Sequence, residues 1–158
     1  MGNTYHIFGL NISSVIPLPA RPVLHPQPGV TPDVTVEFGK TPDALANPKF
    51  NGARYQASPG EFLLRVDGVA RYYVQDGCRI IITPETGAGA DEILLFLMGS
   101  AIGALLHQRN VLVLHAGAIA VNGKASFFPD LPASANPPWP PGFISAATPS
   151  WPMTCARS

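Results

Sequence analysis

The chain has 158 residues, 46% of them hydrophobic, which is enough for one modest core and too little for two full-sized domains. Ten basic residues balance ten acidic ones, so net charge supplies no pull toward nucleic acid or an anionic membrane, and any partner is recognised locally. Cys78 and Cys155 are far apart with no CxxC spacing; neither a zinc site nor a disulfide framework is indicated, and a reduced, cytoplasmic setting is the expectation. MGNTYH lacks the basic and apolar regions of a signal peptide, and the longest apolar run, residues 93–106, is short for a bilayer span. No membrane association is expected.

Tyr5 to Ile16 is β-prone without clean alternation, and the proline-rich stretch from Pro17 to Thr31 reads as a surface connection or extended arm. Val34 to Phe38 alternates well enough for a short strand. From Glu61 the signal sharpens: EFLLRV, VARYYV and RIIIT are β-branched and aromatic runs separated by Asp67-Gly68 and Asp76-Gly77. Asp-Gly pairs tolerate the positive φ of tight hairpin turns, so a three-stranded antiparallel meander is predicted. Arg65, Arg71 and Arg79 fall on it and could form a basic edge, although solvated strand faces account for them without a ligand.

PETGAGADE resets the chain for a helix. Asp91 is placed as N-cap or first-turn acid with Glu92 beside it, and His107 and Arg109 stand at the far end, which complements the helix dipole. The helix is apolar nearly all round, so burial between layers is predicted, with Gly99 and Gly103 allowing another backbone to come close. Asn110 stands where a left-handed cap is wanted. VLVLHA and AIAV then read as core strands joined through Gly117 and followed by the turn Asn122-Gly123. His6, His25 and His107 have no partner at a metal-ligand spacing.

The stretch from Tyr55 to Ala125, with YQASPGEFLLRVDGVARYYVQDGCRIIITP followed by DEILLFLMGSAIGALLHQRNVLVLHAGAIAVNGKA, resembles the HPr serine kinase-related group of bacterial P-loop proteins. The resemblance covers a little under half the chain, its most specific piece being the helix, the LLHQR turn, the LHA strand and the short hairpin. It implies an ATP- and magnesium-dependent transfer of phosphate to a serine of a protein or peptide substrate. It also places His115 near the nucleotide phosphates, as a weak catalytic candidate. In that group the next strand enters a GxxxxGK[ST] loop, whose free amides and lysine cradle the phosphates. Here the sequence after Ala125 reads SFFPDLPASANPP, with no GK pair and with prolines that delete amides. No nucleotide-binding residue, metal ligand or cofactor is therefore expected in this chain.

The tail has a second reading through the genetic code. When the last base of each codon is joined to the first two of the next, Pro129 to Pro138 permits GPAGVGKST. Trp139 into Pro140 forces Ala, and Trp151 to Thr154 permits Ala-Asp-Asp, an Asp pair at about the family's distance. Residues 126–158 are accordingly read as an out-of-frame tail, disordered because its composition was never selected to fold.

The expected architecture is α/β: a mainly antiparallel β region at 1–90, then one buried helix and a hairpin at 91–125 that begin an incomplete P-loop kinase-like core. The expected function is an inactive, truncated derivative of such a kinase. The alternative is a non-catalytic module whose β-rich front half binds a protein or peptide.

Overall fold

A computed structural model describes residues 2–24 and 31–113 with their side chains, and the backbone of 116–121 and 124–129. The poorly alternating N-terminal stretch resolves into a hairpin: β1 (Asn3–Ile7) pairs antiparallel with β2 (Leu10–Ser14), Ile7 opposite Leu10. A two-residue turn of this kind needs positive φ at both positions, and Phe8 and Gly9 supply φ 57° and 73°. Glycine adopts that region freely. Phenylalanine does not, and Phe8 is more than half exposed, so packing does little to offset the strain. Phe8→Asn is expected to raise unfolding free energy by about 0.5–1 kcal/mol, read from the urea midpoint.

Tyr5 and Ile12 from this hairpin are fully buried. The arm beyond it is not merely surface. Ile16 and Leu18 are buried in the main core, the hydroxyl of Ser14 bonds both the amide and the carbonyl of Ile16, and Val23 N–H donates to the Thr4 carbonyl at 2.7 Å. A bridge between Tyr5 and Pro22 completes the cover along the outer side of β1.

The remaining strands are β3 (Val34–Phe38), β4 (Phe50–Asn51), β5 (Tyr55–Ser58), β6 (Glu61–Val66), β7 (Ala70–Gln75) and β8 (Arg79–Pro84). Together with β1 and β2 they make one eight-stranded sheet in the order β1-β2-β3-β8-β7-β6-β5-β4. The meander β6-β7-β8 forms as the sequence predicts, although each Asp-Gly pair sits in a three-residue connection: Val66 pairs with Ala70 and Gln75 with Arg79. The sheet is mixed, because β2–β3 and β3–β8 run parallel. β3 returns between the N-terminal hairpin and the meander and joins them into one surface.

In-register pairing carries Val36, Ile80, Val74, Phe62, Ala57 and Phe50 across one face. On this face lies the core, and α1 (Ala90–Gln108) packs against it. Glu92 accepts the Gly89 amide, so Gly89 is the N-cap and Asp91 is the first-turn acid, the second of the two places expected for it. Leu97 to Ala101 widen into a π turn. Ile93, Leu97, Ala101, Ile102, Leu105 and Leu106 are buried, whereas Leu95 is 67% exposed. The expectation of burial between two layers fails among the described residues: an all-round apolar composition conceals which side faces the sheet. Gly99 and Gly103 also differ from expectation. A methyl group at either would meet nothing within 4 Å, so no backbone approaches there among the described residues.

The 19 residues of α1 are long and apolar enough to cross a membrane by length and composition, contrary to the shorter run counted in the sequence. A core helix passes the same test. The Tyr72 hydroxyl donates to the Ile93 carbonyl at 2.9 Å, and Asn110 closes the helix with φ 59°, as its position predicts.

The opposite face is polar apart from a small cluster of Leu63, Tyr73 and Ile81 covered by Leu45. A second unit begins at Leu112. In it β9 (Ala116–Val121) and β10 (Lys124–Pro129) pair antiparallel, Val121 opposite Lys124. Val111 to Val113 form no strand and are exposed, and Leu114 and His115 lie outside the described residues. Two strands meeting at Gly117 are not what forms: Gly117 lies inside β9, paired with Phe128, so the chain runs straight through it. β10 takes in Ser126 to Pro129, which corrects the expectation of a disordered tail from residue 126: the apolar, aromatic Ser-Phe-Phe run suits a strand and pairs with β9. Asn122-Gly123 and the residues beyond Pro129 lie outside the described residues.

Candidate functional site

The polar face of the sheet carries the densest grouping of charge. Arg65 on β6 stands directly opposite Arg71 on β7, and Arg71 opposite Thr83 on β8. On the other side of β6, Arg65 N–H donates to the Arg54 carbonyl at 2.8 Å, which puts Arg54 next in the same row. The Pro59-Gly60 turn fixes this placement: Ser58 pairs with Glu61 and Tyr55 with Leu64, so the residue before Tyr55 falls beside Arg65. Strands lie about 4.8 Å apart, so three arginines occupy roughly 10 Å of sheet.

Two clefts flank the row. One, of about 550 Å³, is lined by Lys40, Thr41, Asp43, Arg71, Thr83 and Glu85 among others. The other, about 150 Å³, is lined by Asn51, Arg54, Gln56, Leu63 and Arg65 with their neighbours. Thr83 Oγ accepts the Thr41 amide at 2.9 Å and donates to the Gly39 carbonyl at 2.6 Å, pinning the loop that carries Lys40 and Asp43.

Arg71 pairs with Asp43, whose carboxyl is held below the usual range first by the hydrogen bond from Arg71, then by its charge, with Lys40 and Arg65 adding to the effect. Arg79 pairs with Glu37, its Nε at 2.7 Å from Oε1. Thus the three sequence-noted arginines divide: Arg79 is neutralised two positions along the strand, and Arg65 has no carboxylate partner among the described residues. Arg54 and Lys40 escaped the sequence reading, because Arg54 precedes its strand and Lys40 sits in a loop. The register set by the Pro-Gly turn was the available signal for Arg54.

Nearby, Tyr73 donates to Glu61 and accepts from Gln75 Nε2 at 3.3 Å. Burial, and after it the bond to Glu61, pushes its phenol up to about 12.

The helix end forms a second locus. Gly77 N–H donates to Gln108 Oε1 at 2.7 Å and Arg109 Nη1 donates to the Gly77 carbonyl at 2.9 Å. Gly77 has φ 65°, and a Cβ there would lie 2.6 Å from Arg109 Cγ, so only glycine fits. This part of the LLHQR turn is a structural clamp on the β7–β8 connection. Cys78, next along it, is not a free thiol, which departs from the reduced cysteine expected from its spacing.

His115, the candidate implied by the family resemblance, lies outside the described residues, as does His25. His6 Nδ1 is 3.2 Å from Asn11 Oδ1, and His107 is exposed in the last helical turn. Asp91 and Glu92 sit at the helix start, not across a cleft. Among the described residues no three His, Cys, Asp or Glu side chains gather to hold a metal ion. Comparison with protein-family profiles, with curated proteins and with solved structures finds no match.

Proposed function

We propose that this chain is an inactive derivative of a cytoplasmic P-loop serine kinase, retaining the front sheet, the helix and the first hairpin of such a protein without its phosphate cradle. The observation that carries this reading is the sequence Ser126 to Pro138. At the point where successive amides and a lysine would have to surround a triphosphate, it offers prolines and no Gly-Lys pair. The order of elements is compatible with it as far as the helix: an antiparallel meander, then a helix with the LLHQR turn. Kinase chemistry is mostly positioning and charge stabilisation of the transferred phosphate, so losing the cradle removes the activity while leaving the scaffold.

The test is one base. Inserting a single base at the Ala125–Ser126 junction restores the frame that permits GPAGVGKST. The restored protein is expected to bind ATP in a magnesium-dependent manner by calorimetry, and the 158-residue chain is not. Magnesium-dependent ATP binding by the 158-residue chain, or a stop codon in the restored frame, overturns the proposal.

A second reading, a non-catalytic module that binds a protein or peptide, is favoured by the β4 end of the sheet. There Phe50 is 67% and Tyr55 43% exposed, and β4 has no partner on its outer side among the described residues.

A further inference from the structure

We propose that the row Arg54, Arg65 and Arg71, with Lys40 at its margin, is a binding site for a diphosphate group. This goes beyond both readings above, since neither assigns the polar face of the sheet a ligand.

Like charges directly opposite one another across a strand pair repel. Arg65 and Arg71 stand in that relation, and Arg54 extends the row on the far side of Arg65. A protein with no use for such a row neutralises it, as the same sheet does for Arg79 with Glu37. Here only Arg71 has a carboxylate. Asp43 supplies it from a loop, with its side chain 89% exposed and one direct hydrogen-bond contact, to Arg71. The other carboxylate lining this cleft, Glu85, is occupied by the Gly68 amide at 2.9 Å, and Asp67 lies in the exposed turn that joins β6 to β7. Arg54, Arg65 and Lys40 have no side-chain partner among the described residues.

Guanidinium groups present planar forks of N–H donors that match tetrahedral oxyanions two bonds at a time. A single phosphate bridges two neighbouring strands at about 5 Å, whereas this row spans three, roughly 10 Å. Two linked phosphates therefore fit the row better than one. Thr86 and Lys40 in the larger cleft, and Asn51 and Gln56 in the smaller, add neutral and cationic donors at either end.

The test is calorimetric titration of the full 158-residue chain with inorganic pyrophosphate, orthophosphate and sulfate, without magnesium. Pyrophosphate is expected to bind one to one and at least tenfold more tightly than orthophosphate or sulfate. Arg65→Gln and Arg54→Gln are each expected to weaken it about tenfold, and Asp43→Asn to tighten it severalfold by removing the competing anion. Arg79→Gln, outside the row, leaves it unchanged. The proposal is overturned by no saturable pyrophosphate binding, by equal affinity for the three anions, or by an Arg79→Gln loss matching that of Arg65→Gln. Because the site needs no magnesium and no sequence beyond Thr86, its outcome is separate from that of the frame restoration.

Discussion

Leu105→Ala is expected to lower the unfolding free energy by about 3–4 kcal/mol, the largest loss of any single truncation on the helix. Leu105 has no exposed surface and lies in the last turns of α1, in the core cluster that also holds Tyr5, Val36, Tyr72 and Ile80. Truncation removes the methine and both methyl groups beyond Cβ and leaves a cavity that the clamped helix end cannot close, since Gln108 and Arg109 tie it to Gly77. A domain of this size holds about 5–15 kcal/mol in total, so the variant keeps only a fraction of its stability. Leu95→Ala is the control. At 67% exposure, that change is expected to cost no more than about 0.5 kcal/mol. Urea midpoints separate the two outcomes, and equal losses would show that the outer face of the helix is covered in solution.

Stability is also expected to fall steeply on the alkaline side. Tyr72 is fully buried with its hydroxyl on the Ile93 carbonyl, and burial pushes its phenol up to about 12 from an ordinary value near 10. In the folded chain the proton is therefore held more tightly than in the unfolded one. The contribution is complete below pH 10 and is lost as the pH climbs from 10 through 12. Two units correspond to roughly 2–3 kcal/mol for this one group, and Tyr73, raised in the same direction, steepens the fall. Tyr72→Phe gives an inverted signature. At pH 7 the variant is less stable by about 1 kcal/mol, because the Ile93 carbonyl loses the hydroxyl and keeps only the Leu97 amide as donor. Near pH 12 it is the more stable of the two. Denaturant titrations at fixed pH values from 8 to 12 read the crossing directly; parallel curves would remove Tyr72 as the source.

The parts of this fold that local chemistry decides were visible in the sequence. Alternating β-branched and aromatic runs with Asp-Gly breaks marked β6, β7 and β8, and Asn110 marked the helix end by its tolerance of positive φ. What was not visible depends on partners distant in the chain. The parallel pairings of β3 with β2 and β8 bring Val36 beside Ile80 across more than forty positions, and no periodicity announces them. β4, at two residues, is too short to carry a period. The arginine row shows both sides of this divide. Arg65 and Arg71 were legible as strand residues, but their opposition to each other and to Arg54 is a matter of register, set by the turns between them. Composition said that α1 was apolar; only packing says which side is spent on the core.

The two margins of the sheet are unlike. Along β1 the arm through Pro22 and Val23 occupies the Thr4 carbonyl and bridges Tyr5, while β4 ends in two residues with Phe50 outward. Strand addition to the eight-stranded sheet is therefore directed to its β4 border, the less guarded of the two.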